Sequence, residues 1–65
     1  MNETVIIWLK ELYKNEIEEV KGAIDNERIW AVGYDGEEPN PHVENIEVLK
    51  EYVDILEEKL EELKG

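Results

Sequence analysis

The stretch IEVLKEYVDILEEKLEEL, residues 46–63, decides the fold, because Ile46, Leu49, Val53, Leu56, Leu60 and Leu63 recur at alternating steps of three and four. That spacing keeps apolar side chains in one line along an α-helix, an unbroken heptad seam. A seam of this kind demands a neighbouring helix to cover it, and it carries no chemistry of its own. Val48, Tyr52 and Ile55 widen it along one flank. One partner helix cannot cover both the seam and that flank.

Upstream, residues 2–33 read as a second, longer helix. Asn2 has N-cap chemistry, and Glu3 in the first turn suits the positive end of the helix dipole. Val5, Ile6, Leu9, Leu12, Tyr13, Ile17, Val20, Ala23, Ile24, Trp30 and Ala31 fall on one face, an arc of roughly 140° at about 100° per residue. So broad a stripe suits a groove between two other helices. Gly22 interrupts it but projects to the polar side. The segment 28–32, which contains Ile29, Trp30 and Val32, could also be read as a short strand. A lone strand of that length has no pairing partner elsewhere in the chain, so the reading is helix.

Residues 34–40 form the connector, where Asp35-Gly36 and the prolines Pro39 and Pro41 break helical structure. Gly33 is expected as the left-handed C′ residue that ends the first helix. Asn40 followed by Pro41 has the N-cap and N1 chemistry that opens a second helix over about 41–64. A loop this short makes the helices antiparallel neighbours. The fold class is therefore all-α, one domain over residues 1–65, an antiparallel helical hairpin expected to pair into a homodimeric four-helix bundle.

Composition supports association. A chain of 65 residues buries a limited core, and with no Cys and a single His it lacks the disulfides and metal clusters that brace other small domains. The expected oligomer interface is Leu9, Leu12, Tyr13, Ile17, Val20, Ile24, Ile46, Leu49, Tyr52, Val53, Leu56, Leu60 and Leu63. The acids number 18 against 7 bases, for a net charge of -11, which repels nucleic-acid phosphates and anionic lipid. No apolar run is long enough to span a membrane, and the absence of Cys fits a reducing compartment, so the expected location is the cytoplasm.

Candidate chemistry is sparse. Glu16-Ile17-Glu18-Glu19 is an ExxE pattern and Glu51-Tyr52-Val53-Asp54 an ExxD pattern on the following helix, a pairing that resembles the all-α nucleoside triphosphate pyrophosphatases. The resemblance implies carboxylates facing one another around Mg²⁺. On the helical projection, however, Glu51 and Asp54 point to the polar side of their helix. His42 near Glu38 and Glu44 reads as an exposed histidine at a helix start rather than a metal ligand. No nucleophilic triad, phosphate loop or basic stripe is present, and no cofactor is implied.

Two surfaces remain. Trp30, Tyr34 and His42, with Ile29, Val32, Pro39 and Pro41 around them, gather aromatic and apolar groups at the hairpin tip and could anchor a partner. Trp8 stands beside the stripe at the opposite end. Glu47, Glu51, Asp54, Glu58, Glu61 and Glu62 form an acidic outer stripe, either a solvated face or one presented to a basic protein, as in a nucleic-acid mimic. Glu16 and Glu27, acids in or beside the apolar stripe, are expected to fix register or to meet a Lys or Arg at a subunit margin. In size, in the Glu/Lys/Ile-rich style of residues 11–20 and 44–63, and in its Gly-Tyr-Asp-Gly connector, the chain resembles small acidic helical-hairpin proteins of phages and prophages of Gram-positive bacteria. That resemblance implies an accessory or structural role. The expected function is a non-enzymatic protein-interaction module.

Overall fold

The computed structural model describes residues 2–64 as two α-helices, α1 (Glu3–Gly33) and α2 (Pro41–Lys64), packed against each other as an all-α hairpin. Between its Cα atoms the molecule measures 53 × 14 × 11 Å, a rod two helices wide and one helix thick. Among the described residues no helix is long and apolar enough to cross a membrane.

Each helix starts where its first free N–H groups find a side-chain acceptor. Asn2 Oδ1 accepts from the Thr4 N–H at 2.7 Å, and Asn40 Oδ1 accepts from the His42 N–H at 3.0 Å. Pro41 occupies the first helical position of α2, where a missing N–H costs nothing. Asn40 also serves the other helix, because its Nδ2 donates to the Ala31 carbonyl of α1 at 2.9 Å. One side chain thus caps the start of α2 and satisfies a free carbonyl at the end of α1.

That contact changes how α1 ends. Gly33 is not a left-handed C′ residue: it is the last helical residue, and among the described residues no glycine has a positive φ. Tyr34 follows in extended conformation (φ -76°, ψ 124°), and its N–H donates to the Ala31 carbonyl at 3.3 Å. With Asn40 already on that carbonyl, the helix stops without the left-handed turn.

The core lies along one line. Ile17, Val20 and Ile24 from α1 and Val53, Leu56 and Leu60 from α2 are buried, with Tyr13, Ile46 and Leu49 packed against them. These are the heptad positions, so the seam of residues 46–63 is covered by α1 within the chain, and Leu9 and Leu63 extend it half-buried. The apolar arc of α1 is not covered throughout its width. Leu12 and Trp30, which the projection assigns to the same stripe, are 63% and 66% exposed. A helix pressed against a single neighbour buries only the side chains nearest the contact line, and these two stand roughly 110° around the helix from it.

Two substitutions test this account of the backbone. A Cβ on Gly22 meets nothing within 4 Å, so Gly22→Ala should stabilise the fold by about 1 kcal/mol through helix propensity. Asn40→Ala should destabilise it by roughly 1–2 kcal/mol, as loss of an N-cap does. Thermal unfolding followed by circular dichroism should move in opposite directions for the two, by several degrees each.

Candidate interaction surface

At the hairpin tip the structure brings together the three residues singled out as a partner surface. The rings of Trp30 and His42 stack with centroids 6.3 Å apart, and Tyr34 meets His42 edge-on at 6.2 Å. Gly36 makes room for this arrangement, since a Cβ at that position would run into the Tyr34 ring. Tyr34 and His42 are half-buried, whereas Trp30 is largely exposed.

His42 is therefore not an exposed helix-start residue. Its Nδ1 lies 2.6 Å from Glu27 Oε2 on α1, and Asn45 Nδ2 donates to the same oxygen at 3.4 Å. A carboxylate only accepts, so Nδ1 is the protonated nitrogen of this pair. The hydrogen bond from His42 holds the Glu27 carboxyl below the usual glutamate range; partial burial opposes the shift, while Asn45 and the charge of His42 add to it. Glu16 is satisfied differently, by the Tyr52 hydroxyl, which donates to its Oε1 at 3.3 Å. The Glu16 charge in turn raises the phenol of Tyr52, with burial and the hydrogen bond acting the same way. Within the chain, neither acid pairs with a Lys or Arg among the described residues. The sequence contains a signal for the Glu27–His42 pair, an acid inside an apolar stripe and a histidine in register across the turn, but nothing in it assigns the two to each other.

The second surface is larger. At about 100° per residue, Trp8, Leu12, Ala23 and Trp30 share a strip of α1 roughly 60° wide, and Val48, Ile55 and Tyr52 share one of similar width on α2. Each strip lies to the side of its own buried line. The handedness of antiparallel helices turns both to the same side of the hairpin, and the contacts agree: Tyr52 reaches Glu16, and Ala23 lines one shallow groove with Val48 and Leu49. Trp8, Leu12, Trp30 and Val48 are each more than 60% exposed, and Tyr52 and Ile55 more than 40%. Leu12 and Tyr52, expected in the oligomer interface, stand on this uncovered face; Tyr13, Ile17, Val20, Ile24, Ile46, Leu49, Val53, Leu56 and Leu60 form the contact within the chain.

The opposite side carries the charges, beside the exposed apolar residues Ile7, Val32 and Val43. Lys21, Arg28 and Lys50 gather with Asp25 and Asp54 around an open groove floored by Ile24 and Val53. Arg28 and Asp25 approach to 3.6 Å, an exposed pair that contributes little. Among the described residues no group of three or more His, Asp or Glu side chains is placed to hold a metal ion, so Glu16, Glu19, Glu51 and Asp54 are not brought together in one. Compared with protein-family models, curated proteins and solved structures, the chain matches none.

The tip has a pH signature. Because the Glu27 carboxyl is lowered in the folded state, its contribution is present above the unfolded glutamate value and is lost as pH falls through the folded one. The stability difference between wild type and Glu27→Gln should therefore shrink as the pH falls below about 4.5. Urea titrations at pH 7, 5 and 3 measure it; a difference unchanged down to pH 3 contradicts the pairing.

Proposed function

We propose that this chain is a homodimeric helical bundle that serves as a structural or protein-interaction module. One observation carries the reading: both helices present exposed apolar residues on the same side of the hairpin, spread from Trp8 at the open end to Trp30 at the tip. Exposed apolar patches of this extent mark association surfaces. Among the described residues the hairpin alone buries six side chains and none of them completely, so covering the face supplies hydrophobic stabilisation that the monomer lacks. A face on a rod 53 by 14 Å is comparable to the about 800 Å² that each partner contributes to a standard interface.

Two such faces pressed together make a four-helix bundle, in which the aligned heptad seams and flanks form one continuous interior. The acidic outer residues Glu47, Glu51, Asp54, Glu58 and Glu61 keep that assembly soluble and resist further association. The tip aromatics remain at its ends.

Light scattering on the eluted protein should give twice the chain mass at micromolar concentration, and a monomer there refutes the proposal. Ile55→Lys places a charge on the apolar face without touching the buried line. It should raise the dimer dissociation constant by at least about a hundredfold, since a buried unpaired charge costs several kcal/mol.

A further inference from the structure

Given the dimer proposed above, we infer that its two hairpins pack antiparallel, tip against open end, so that Trp8 of each copy seats against Trp30 of the other. The exposed face is self-complementary in only this sense. Trp8 and Trp30 stand equally far from Glu19 along α1, and Val48 and Ile55 stand equally far from the Glu51–Tyr52 peptide bond of α2. The Tyr52–Glu16 and Asn45–Glu27 hydrogen bonds set Glu19 level with residues 49–53. Both strips therefore have their centres at one height on the rod. A single twofold axis across that height, perpendicular to the helices, lays α1 on its own copy and α2 on its own copy. Trp8 then meets Trp30 twice, and Val48 meets Ile55 twice.

Charge follows the same symmetry. Among the described residues Lys59 alone brings a base to this side, and it too has a mate at equal distance across the Glu51–Tyr52 centre, Glu44. The perpendicular axis pairs Lys59 with Glu44 of the second copy at both ends. An axis parallel to the helices instead lays α1 on the second copy's α2 at equal height. Trp8 then lies level with Glu62, and Val48 and Ile55 lie level with Gly22 and Asn15, an aromatic ring against a carboxylate and two apolar side chains without apolar mates. The antiparallel arrangement has its unfavourable element near the axis, where Glu19 and Glu16 of the two copies gather; the Tyr52 hydroxyl engages Glu16 there. The shallow groove of Ala23, Glu27, Asn45, Val48 and Leu49 lies level with Leu12 of the second copy, the small Ala23 beside the larger leucine.

The absence of cysteine permits a direct test. A nitroxide attached at Glu37→Cys, in the exposed connector, marks each tip. In the full-length dimer, pulsed dipolar spectroscopy should give a separation near 50 Å, about the 53 Å length of the hairpin. The parallel arrangement brings the tips within roughly 30 Å, from the width of a bundle plus two label arms. A short distance from a species of dimer mass overturns the orientation and leaves the dimer standing, whereas a monomer mass overturns both. As a second readout, Trp8→Ala and Trp30→Ala should each weaken the dimer roughly tenfold or more. Because they remove the same contact, the double variant should lose less than the product of the two. Independent, multiplicative effects refute the Trp8–Trp30 contact.

Discussion

Everything in this structure depends on the packing of two heptad stripes along a single line. Ile17, Val20 and Ile24 meet Val53, Leu56 and Leu60 there, and the chain has no other buried apolar cluster among its described residues. A rod two helices wide gives each helix one neighbour. Only the side chains nearest the contact leave water, and the apolar residues a third of a turn away stay outside. The exposed face running from Trp8 to Trp30 is therefore a direct consequence of the hairpin geometry.

A heptad seam by itself tolerates sliding by one repeat, because each position meets a chemically similar one seven residues on. The polar contacts at the tip remove that freedom. Asn40 holds the Ala31 carbonyl while capping α2, and Glu27 receives both His42 and Asn45. A shift of one heptad separates all of these partners and leaves a half-buried carboxylate and carbonyl unsatisfied. Apolar packing thus supplies the attraction between the helices, and the polar tip fixes their register. Glu16 with Tyr52 repeats the device nearer the open end.

Charge is distributed to match. Lys10, Lys14, Lys21 and Arg28 follow one another at helical spacing on the side of α1 turned from the apolar face, and Lys50 joins them from α2. Acids surround them, so this side is well solvated and its ion pairs are loose. A bundle formed through the apolar face leaves these charges on its outside, where desolvation costs nothing.

The sequence alone determined the two helices, their connector and the line on which they meet. These are local properties, set by the caps at Asn2 and Asn40, by Pro41, and by apolar spacing that any α-helix converts into a stripe. It also placed Trp30, Tyr34 and His42 at one end, because a short loop leaves them nowhere else. The tertiary structure decided how the wide stripe of α1 divides into a covered line and an exposed flank. That division depends on how far around the helix one neighbour reaches, a distance no helical projection contains. It likewise decided that Glu27 belongs to His42 and that α1 ends on Asn40 rather than on a left-handed glycine. Those contacts join residues nine to eighteen positions apart, and only the crossing of the two helices brings them within hydrogen-bonding distance.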